Sequence, residues 1–220
     1  SGKVVHTATD IPLADQLPLG FGAVPTGPRS YGWRSDAQTT LYWTEAQDGG
    51  DPRAEAEVRD RIFIHPAPFS GSPTVLVDLD LRYSYTLWGT GDLALVTTRE
   101  WSSRKTKTWA VTPDSPSKSL KLVFDRLYED RYSDPGSPVT KMNNNGAYVL
   151  LTGNNDKTIY LTGNGASPEG DRPFLDELNI ESGNTTRLFR SESPYYERPM
   201  AILDVDNSVI VTIRESMDDQ

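Results

Sequence analysis

An all-β fold is what this 220-residue sequence predicts, and three observations carry the expectation. Runs of four to seven β-branched and aromatic residues recur along the chain. Between them stand 17 Gly and 16 Pro, which favour many short elements joined by tight turns over a few long helices. Five Trp, ten Tyr and six Phe within a lean 36% apolar composition need a packed core, so the chain is globular rather than disordered.

The first strands are expected at Thr39–Thr44, Arg61–Ile64 and Thr74–Leu79. Between the first two, Asp48-Gly49-Gly50-Asp51-Pro52 is a turn cluster leading into residues 53–57, which have room for at most a turn or two of helix. A second set opens with 82–88, turns at Gly89-Thr90-Gly91-Asp92, and continues with 93–98, 107–111 and 120–124. Four short strands in about 45 residues, each step short enough for a hairpin, form an antiparallel meander of the size of one propeller blade. A third set follows the loop Asp134-Pro135-Gly136-Ser137-Pro138, with strands at 139–142, 147–152, 158–161, 174–180 and 186–189. A last pair, 199–203 and 208–213, flanks the turn at 204–207 and opens a further blade.

This succession predicts a β-propeller segment of about three to four four-stranded antiparallel blades. Their spans are 25–81, 82–127, 138–192 and the start of another at 198–216, with residues 1–24 as an N-terminal segment or the end of a preceding blade. No signature word recurs at a fixed period, and a β-sandwich also has many short strands, so a sandwich remains the alternative.

The formal net charge of -9 argues against nucleic acid and anionic membrane surfaces as partners, since both favour a basic excess. Cysteine is absent, which removes disulfides, thiol nucleophiles and cysteine-ligated metals. No apolar run approaches the roughly 20 residues needed to span a bilayer, and the first residues have no signal-peptide layout, so the chain is expected to be soluble with any targeting segment lying outside it. No metal site and no cofactor is expected.

Catalytic signatures are sparse. Gly165-Ala166-Ser167-Pro168-Glu169-Gly170 approximates a nucleophile elbow, but its second Gly falls one place late and Pro follows Ser, so Ser167 reads as a loop serine. His6 and His65 are the only imidazoles and read as surface or strand-end residues, which makes a Ser-His-Asp triad within the chain improbable. Glu129, Asp130 and Asp134 suit capping and arginine pairing better than acid–base work. Asp204-Val205-Asp206-Asn207-Ser208 starts like a calcium loop but lacks the sixth-position Gly and the closing Glu, and Gly163-Asn164-Gly165 lacks the third Gly of a dinucleotide loop.

The most suggestive cluster is Arg29-Ser30-Tyr31-Gly32-Trp33-Arg34-Ser35-Asp36. Two guanidinium groups beside aromatic rings can clamp a peptide carboxylate and exclude water from the contact, so Arg29, Trp33 and Arg34 are the candidate substrate-binding residues. The same pattern also suits a Trp packed between blades with Arg laced to Asp36.

Four segments carry a family resemblance: PTGPRSYGWRSD at 25–36, TLYWTEAQDGGDP at 40–52, YEDRYSDPGSP at 128–138 and GASPEG at 165–170. Together they resemble the N-terminal propeller region of the glutamyl endopeptidases, serine peptidases of the prolyl oligopeptidase family known from chloroplasts and bacteria. The resemblance implies a propeller that caps an α/β-hydrolase domain and admits peptides to a chamber between them. None of that family's catalytic positions falls on a residue here, so the chain alone is expected to be non-catalytic, the propeller portion of a peptidase. The implied partners are peptide substrates and the C-terminal hydrolase domain, with self-association through open sheet edges. The expected location is periplasmic or secreted in bacteria, with the chloroplast as the alternative. A stand-alone module that binds protein or carbohydrate is the competing reading of function.

Overall fold

Each regular element is a β-strand in the computed structural model, which describes residues 2–4, 6, 7, 9, 13, 20–116, 120–205 and 209–216. The chain divides into two compact units, Ser1–Phe124 and Asp125–Gln220.

The first unit holds two four-stranded antiparallel meanders. In one, β1 (Arg29–Trp33), β2 (Thr40–Ala46), β3 (Asp60–Pro66) and β4 (Thr74–Leu79) pair in chain order. In β2 and β3 the β-branched and aromatic residues face each other in register from Thr40↔Pro66 to Ala46↔Asp60. The strand β1 was not legible as a strand, because it is short, polar and broken by a bulge between Arg29 and Gly32, where Ser30 takes a positive φ of 53°. Gly32 is required there, since a Cβ at that position would lie 2.6 Å from the Tyr42 ring.

The other meander joins β5 (Arg82–Thr90), β6 (Leu93–Arg99), β7 (Lys105–Val111) and β8 (Lys121–Leu127), also in chain order. All residues of β6 from Leu93 to Thr98 are buried, as befits a central strand covered on both faces. Ile62, Ile64, Leu76, Val77 and Leu79 from the first sheet meet Trp88, Ala94, Val96 and Val111 from the second in one core. Removing a side chain such as Ile62, which is fully buried, costs about 2–5 kcal/mol as the cavity it leaves stays largely open. No helix forms at 53–57. Asp51 instead accepts the Arg53 backbone N–H at 3.0 Å and grips its guanidinium, so the segment stays a turn.

In the second unit the principal sheet has the order β12 (Thr152–Gly153), β13 (Thr158–Gly163), β14 (Phe174–Asn179) and β15 (Thr185–Arg190). A short β9 (Ser137–Pro138) pairs with Leu161 and Thr162 of β13, while β12 pairs with Ile159 and Thr158, so two pieces share the work of one outer strand. Two hairpins complete the unit: β10 (Thr140–Met142) with β11 (Tyr148–Leu150), and β16 (Tyr196–Asp204) with β17 (Val209–Glu215). Leu151, Tyr160 and Leu175 form a small core packed by Val139, Phe189, Ile202, Val205 and Ile210. Gly136 is fixed by the close approach at β9: its φ is 85°, and a Cβ would meet the Thr162 carbonyl oxygen at 2.5 Å.

Candidate functional site

The three candidate residues sit at the edge strand β1 and its exit, and the structure treats them differently. Arg29 belongs to a buried ionic network built around Asp60, the first residue of β3, whose carboxylate is fully buried. Asp60 accepts from Arg29 Nη2 at 2.5 Å, Arg82 Nη1 at 3.0 Å and the Tyr83 backbone N–H at 2.7 Å. Asp48, equally buried, accepts from Arg59 Nη1 at 2.9 Å, Arg82 Nη2 at 2.6 Å and the Gly50 N–H at 3.1 Å. Three guanidinium groups thus converge on two saturated carboxylates. The saturated carboxylates offset much of the cost of taking these ions out of water, although Arg29 Nη1 and Arg82 Nε are buried without a partner.

Arg34 is also committed to the fold. Its Nε and Nη2 reach Asp36 at 3.2 and 2.7 Å, its Nη1 reaches Asp114 at 2.9 Å, and its guanidinium lies 5.3 Å from the Trp88 ring centroid. Burial by itself would lower its pKa, but the Asp36 and Asp114 carboxylates outweigh that and hold it above the usual arginine value. Trp33 is the accessible member, with 58% of its surface exposed. Its ring approaches Phe69 at 6.3 Å, Phe69 stacks on His6 at 4.9 Å, and His65 meets both edge-on. Sequence spacing did not show this group, because Phe69 and His6 lie 36 and 27 residues from Trp33 in opposite directions. Apart from the His6–Phe69 stack the rings are tilted or edge-on to one another, and Trp33 is the exposed apolar ring that meets a ligand.

His65 occupies the end of β3, as expected, but is buried, and its Nε2 has no hydrogen-bond partner. Ser167 donates its Oγ–H to the Gly170 carbonyl within its own loop. Asp130 accepts from the Tyr132 and Ser133 backbone N–H groups and the Ser133 hydroxyl, and the Ser133 contacts above all lower its pKa. Asp134 accepts the Gly136 N–H and pairs with Arg126 at 3.1 Å. The calcium-like segment falls partly at 206–208, outside the described residues. Among the described residues, no group of three His, Asp or Glu is placed to hold a metal ion. The second unit has a polar cleft beside Arg131, Arg187 and Arg190, where Arg187 is held by Asp176 and Arg131 by Asp171.

No protein-family model matches the chain. Among curated proteins it is 41% identical over 208 residues to "Probable glutamyl endopeptidase, chloroplastic" of Oryza sativa subsp. japonica. The protein of the same name from Arabidopsis thaliana is 40% identical over 209 residues. The chain resembles one segment of these proteins. Each alignment takes in 92% of the chain, which spans 22% of the relative's length. The family resemblance expected from the four segments is therefore supported along nearly the whole chain. Both relatives are named chloroplastic, which supports the chloroplast alternative; neither name supports a periplasmic or secreted bacterial location. Among solved structures, an oligogalacturonate lyase in complex with manganese matches with TM-score 0.39 at 12% identity, covering 76% of this chain and 38% of that one. A nidogen/laminin complex matches with TM-score 0.35 at 13% identity, over 71% and 46%.

Proposed function

We propose that this chain is the non-catalytic β-propeller portion of a glutamyl endopeptidase-like serine peptidase of the prolyl oligopeptidase family. In this reading it gates and positions peptide substrates for a hydrolase domain elsewhere in the parent protein. The observation that carries it is the 41% identity to a probable glutamyl endopeptidase across 92% of the chain. Successive four-stranded meanders in chain order support a propeller, because each is a blade-sized unit that buries its faces against a neighbour. A rigid ring of blades admits short or unfolded peptides and rejects folded proteins, and groups at its surface restrict the poses a peptide adopts before reaction.

Within this reading Trp33 touches the peptide. Arg29 and Arg34 are positioning residues that fix β1 from beneath through Asp60, Asp36 and Asp114. The relatives' names favour the chloroplast as the location. The exposed apolar residues of β17, Val209, Val211 and Ile213, support self-association of the isolated chain. A stand-alone binding module is the second reading, favoured by the exposed Trp33 and its aromatic neighbours.

The test is kinetic, in the intact parent protein. Trp33→Ala is expected to lower kcat/KM for peptides of several residues by about fivefold, the loss of roughly 1 kcal/mol of aromatic contact, while leaving hydrolysis of a single-residue ester unchanged. Equal effects on both substrates would end the positioning role, and an intact protein that hydrolyses no glutamyl peptide would end the peptidase reading.

A further inference from the structure

Among the described residues, the polar cleft of the second unit holds one guanidinium that the fold leaves unpaired. The cleft has a volume of about 480 Å³, within the range of small-ligand sites, and its walls come from β14, β15 and the loops at 131–135 and 165–166. Phe174 and Asp176 lie two apart on β14 and so share a face. Their partners across the ladder are Arg190 and Arg187, which are three apart and would point to opposite faces of a regular strand. The register shift between Leu175 and Asp176 brings both arginines to the face of Phe174 and Asp176, and all four line the cleft.

The charges of the cleft sort into pairs with one remainder. Arg187 grips Asp176 through Nε and Nη2 and lies over the Phe174 ring at 4.6 Å. Asp134 is matched by Arg126 at 3.1 Å. Arg131, from the 131–135 loop, reaches Asp171 at only 3.4 Å, beyond the usual range of about 2.7–3.2 Å, and its side chain is 69% exposed. Arg190 is exposed, and no side-chain hydrogen bond, ion pair or ring contact engages it among the described residues. A chain of net charge -9 therefore keeps one free guanidinium here beside one that is loosely held.

From this geometry we infer that the cleft is a binding site for a phosphoryl group, as free phosphate or as the phosphomonoester of a small molecule. The two oxygens of a carboxylate are satisfied by one guanidinium fork. A phosphomonoester has three outer oxygens and a charge of about −1.5 to −2, which suits two guanidinium groups carried on separate elements. It takes Arg190 outright and competes with Asp171 for Arg131. Tyr132 and Phe174 also line the cleft, the former 71% exposed, and supply apolar surface to the body of an ester. The site is independent of the peptidase reading, because it is assayed by binding rather than turnover.

The experiment titrates the full chain at low ionic strength with glycerol 3-phosphate and, in parallel, with inorganic phosphate and glutarate, following heat and the backbone amide NMR shifts of residues 131–135 and 185–190. Glycerol 3-phosphate is expected to bind one to one, at least about fivefold more tightly than glutarate, with affinity falling as salt rises. Arg190→Gln breaks no contact of the fold and is expected to weaken binding about tenfold, the loss of one charge-assisted pair. Asp171→Asn releases Arg131 and is expected to tighten binding about threefold, whereas Glu181→Gln, the same charge change at a residue that does not line the cleft, leaves it unchanged. Inorganic phosphate binding as tightly as the ester points to the free anion as the source, and weaker binding points to the ester; both satisfy the proposal. No saturable binding of either phosphate, glutarate bound as tightly, or unchanged affinity in Arg190→Gln would overturn it.

Discussion

Replacing Asp60 by asparagine keeps the shape of the side chain and removes its charge from the centre of the buried network. The carboxylate accepts from Arg82 on one oxygen and from Arg29 and Tyr83 on the other. Whichever way the asparagine amide turns, its NH₂ faces a donor, so at least one of those bonds is lost. Arg29 then loses its carboxylate partner and Arg82 keeps Asp48 alone, at a position where the Asp60 side chain has 0% exposure. Breaking a buried pair this way costs about 3–5 kcal/mol. At about 2–4 °C per kcal/mol for a chain of this length, the thermal midpoint falls by about 6–20 °C. Trp fluorescence is the assay, because all five Trp lie between residues 33 and 109 and report only on the first unit. A midpoint within about 2 °C of the unsubstituted chain would refute the account of the network.

Two further outcomes follow from the geometry. Gly32→Ala places a Cβ 2.6 Å from the Tyr42 ring, which packs on Trp88 at 5.1 Å, so the ring must move and the first unit loses about 1–3 kcal/mol in urea unfolding; a loss under about 0.5 kcal/mol would show that Tyr42 yields freely. Asp51, held chiefly by the Arg53 guanidinium and then by its backbone N–H, has its pKa lowered from 3.8 to about 2. Because the folded value is the lower one, the turn is supported above the ordinary carboxylate range and loses that support as pH falls from about 4 to about 2. A carboxyl-carbon NMR titration should give the low midpoint, and Arg53→Ala should move it back toward 3.8; an unsubstituted midpoint already at 3.8 would contradict the contact.

The strands that bury alternate or continuous apolar faces were legible: 39–44, 61–64, 74–79 and 93–98 lie within a residue or two of β2, β3, β4 and β6. Three of the short or irregular ones were not. β1 hides behind its bulge, and β9 and β12 are two residues each, held by pairing to β13 rather than by any pattern of their own. At the site, the lacing of Arg34 to Asp36 was visible because the two are neighbours in sequence. Its second anchor, Asp114, is 80 residues away, and the Asp48 and Asp60 partners of Arg82 are 34 and 22 residues away. Such pairs leave no periodic trace, so a cluster that read as a carboxylate clamp is, for its two arginines, largely internal framework.

The position of Arg82 also sets an order of events. It opens β5, yet its guanidinium ties back to Asp48 and Asp60, and Tyr83 donates its backbone N–H to Asp60. During synthesis from the N-terminus, this knot can close once residue 83 has emerged, before β6, β7 and β8 exist. The two loops closed span 22 and 34 residues, and the longer one adds only about 0.4 kcal/mol of closure entropy over the shorter. The border between the two meanders is therefore fastened by ion pairs from the first residue of β5, while the apolar core the sheets share waits for β6 and β7.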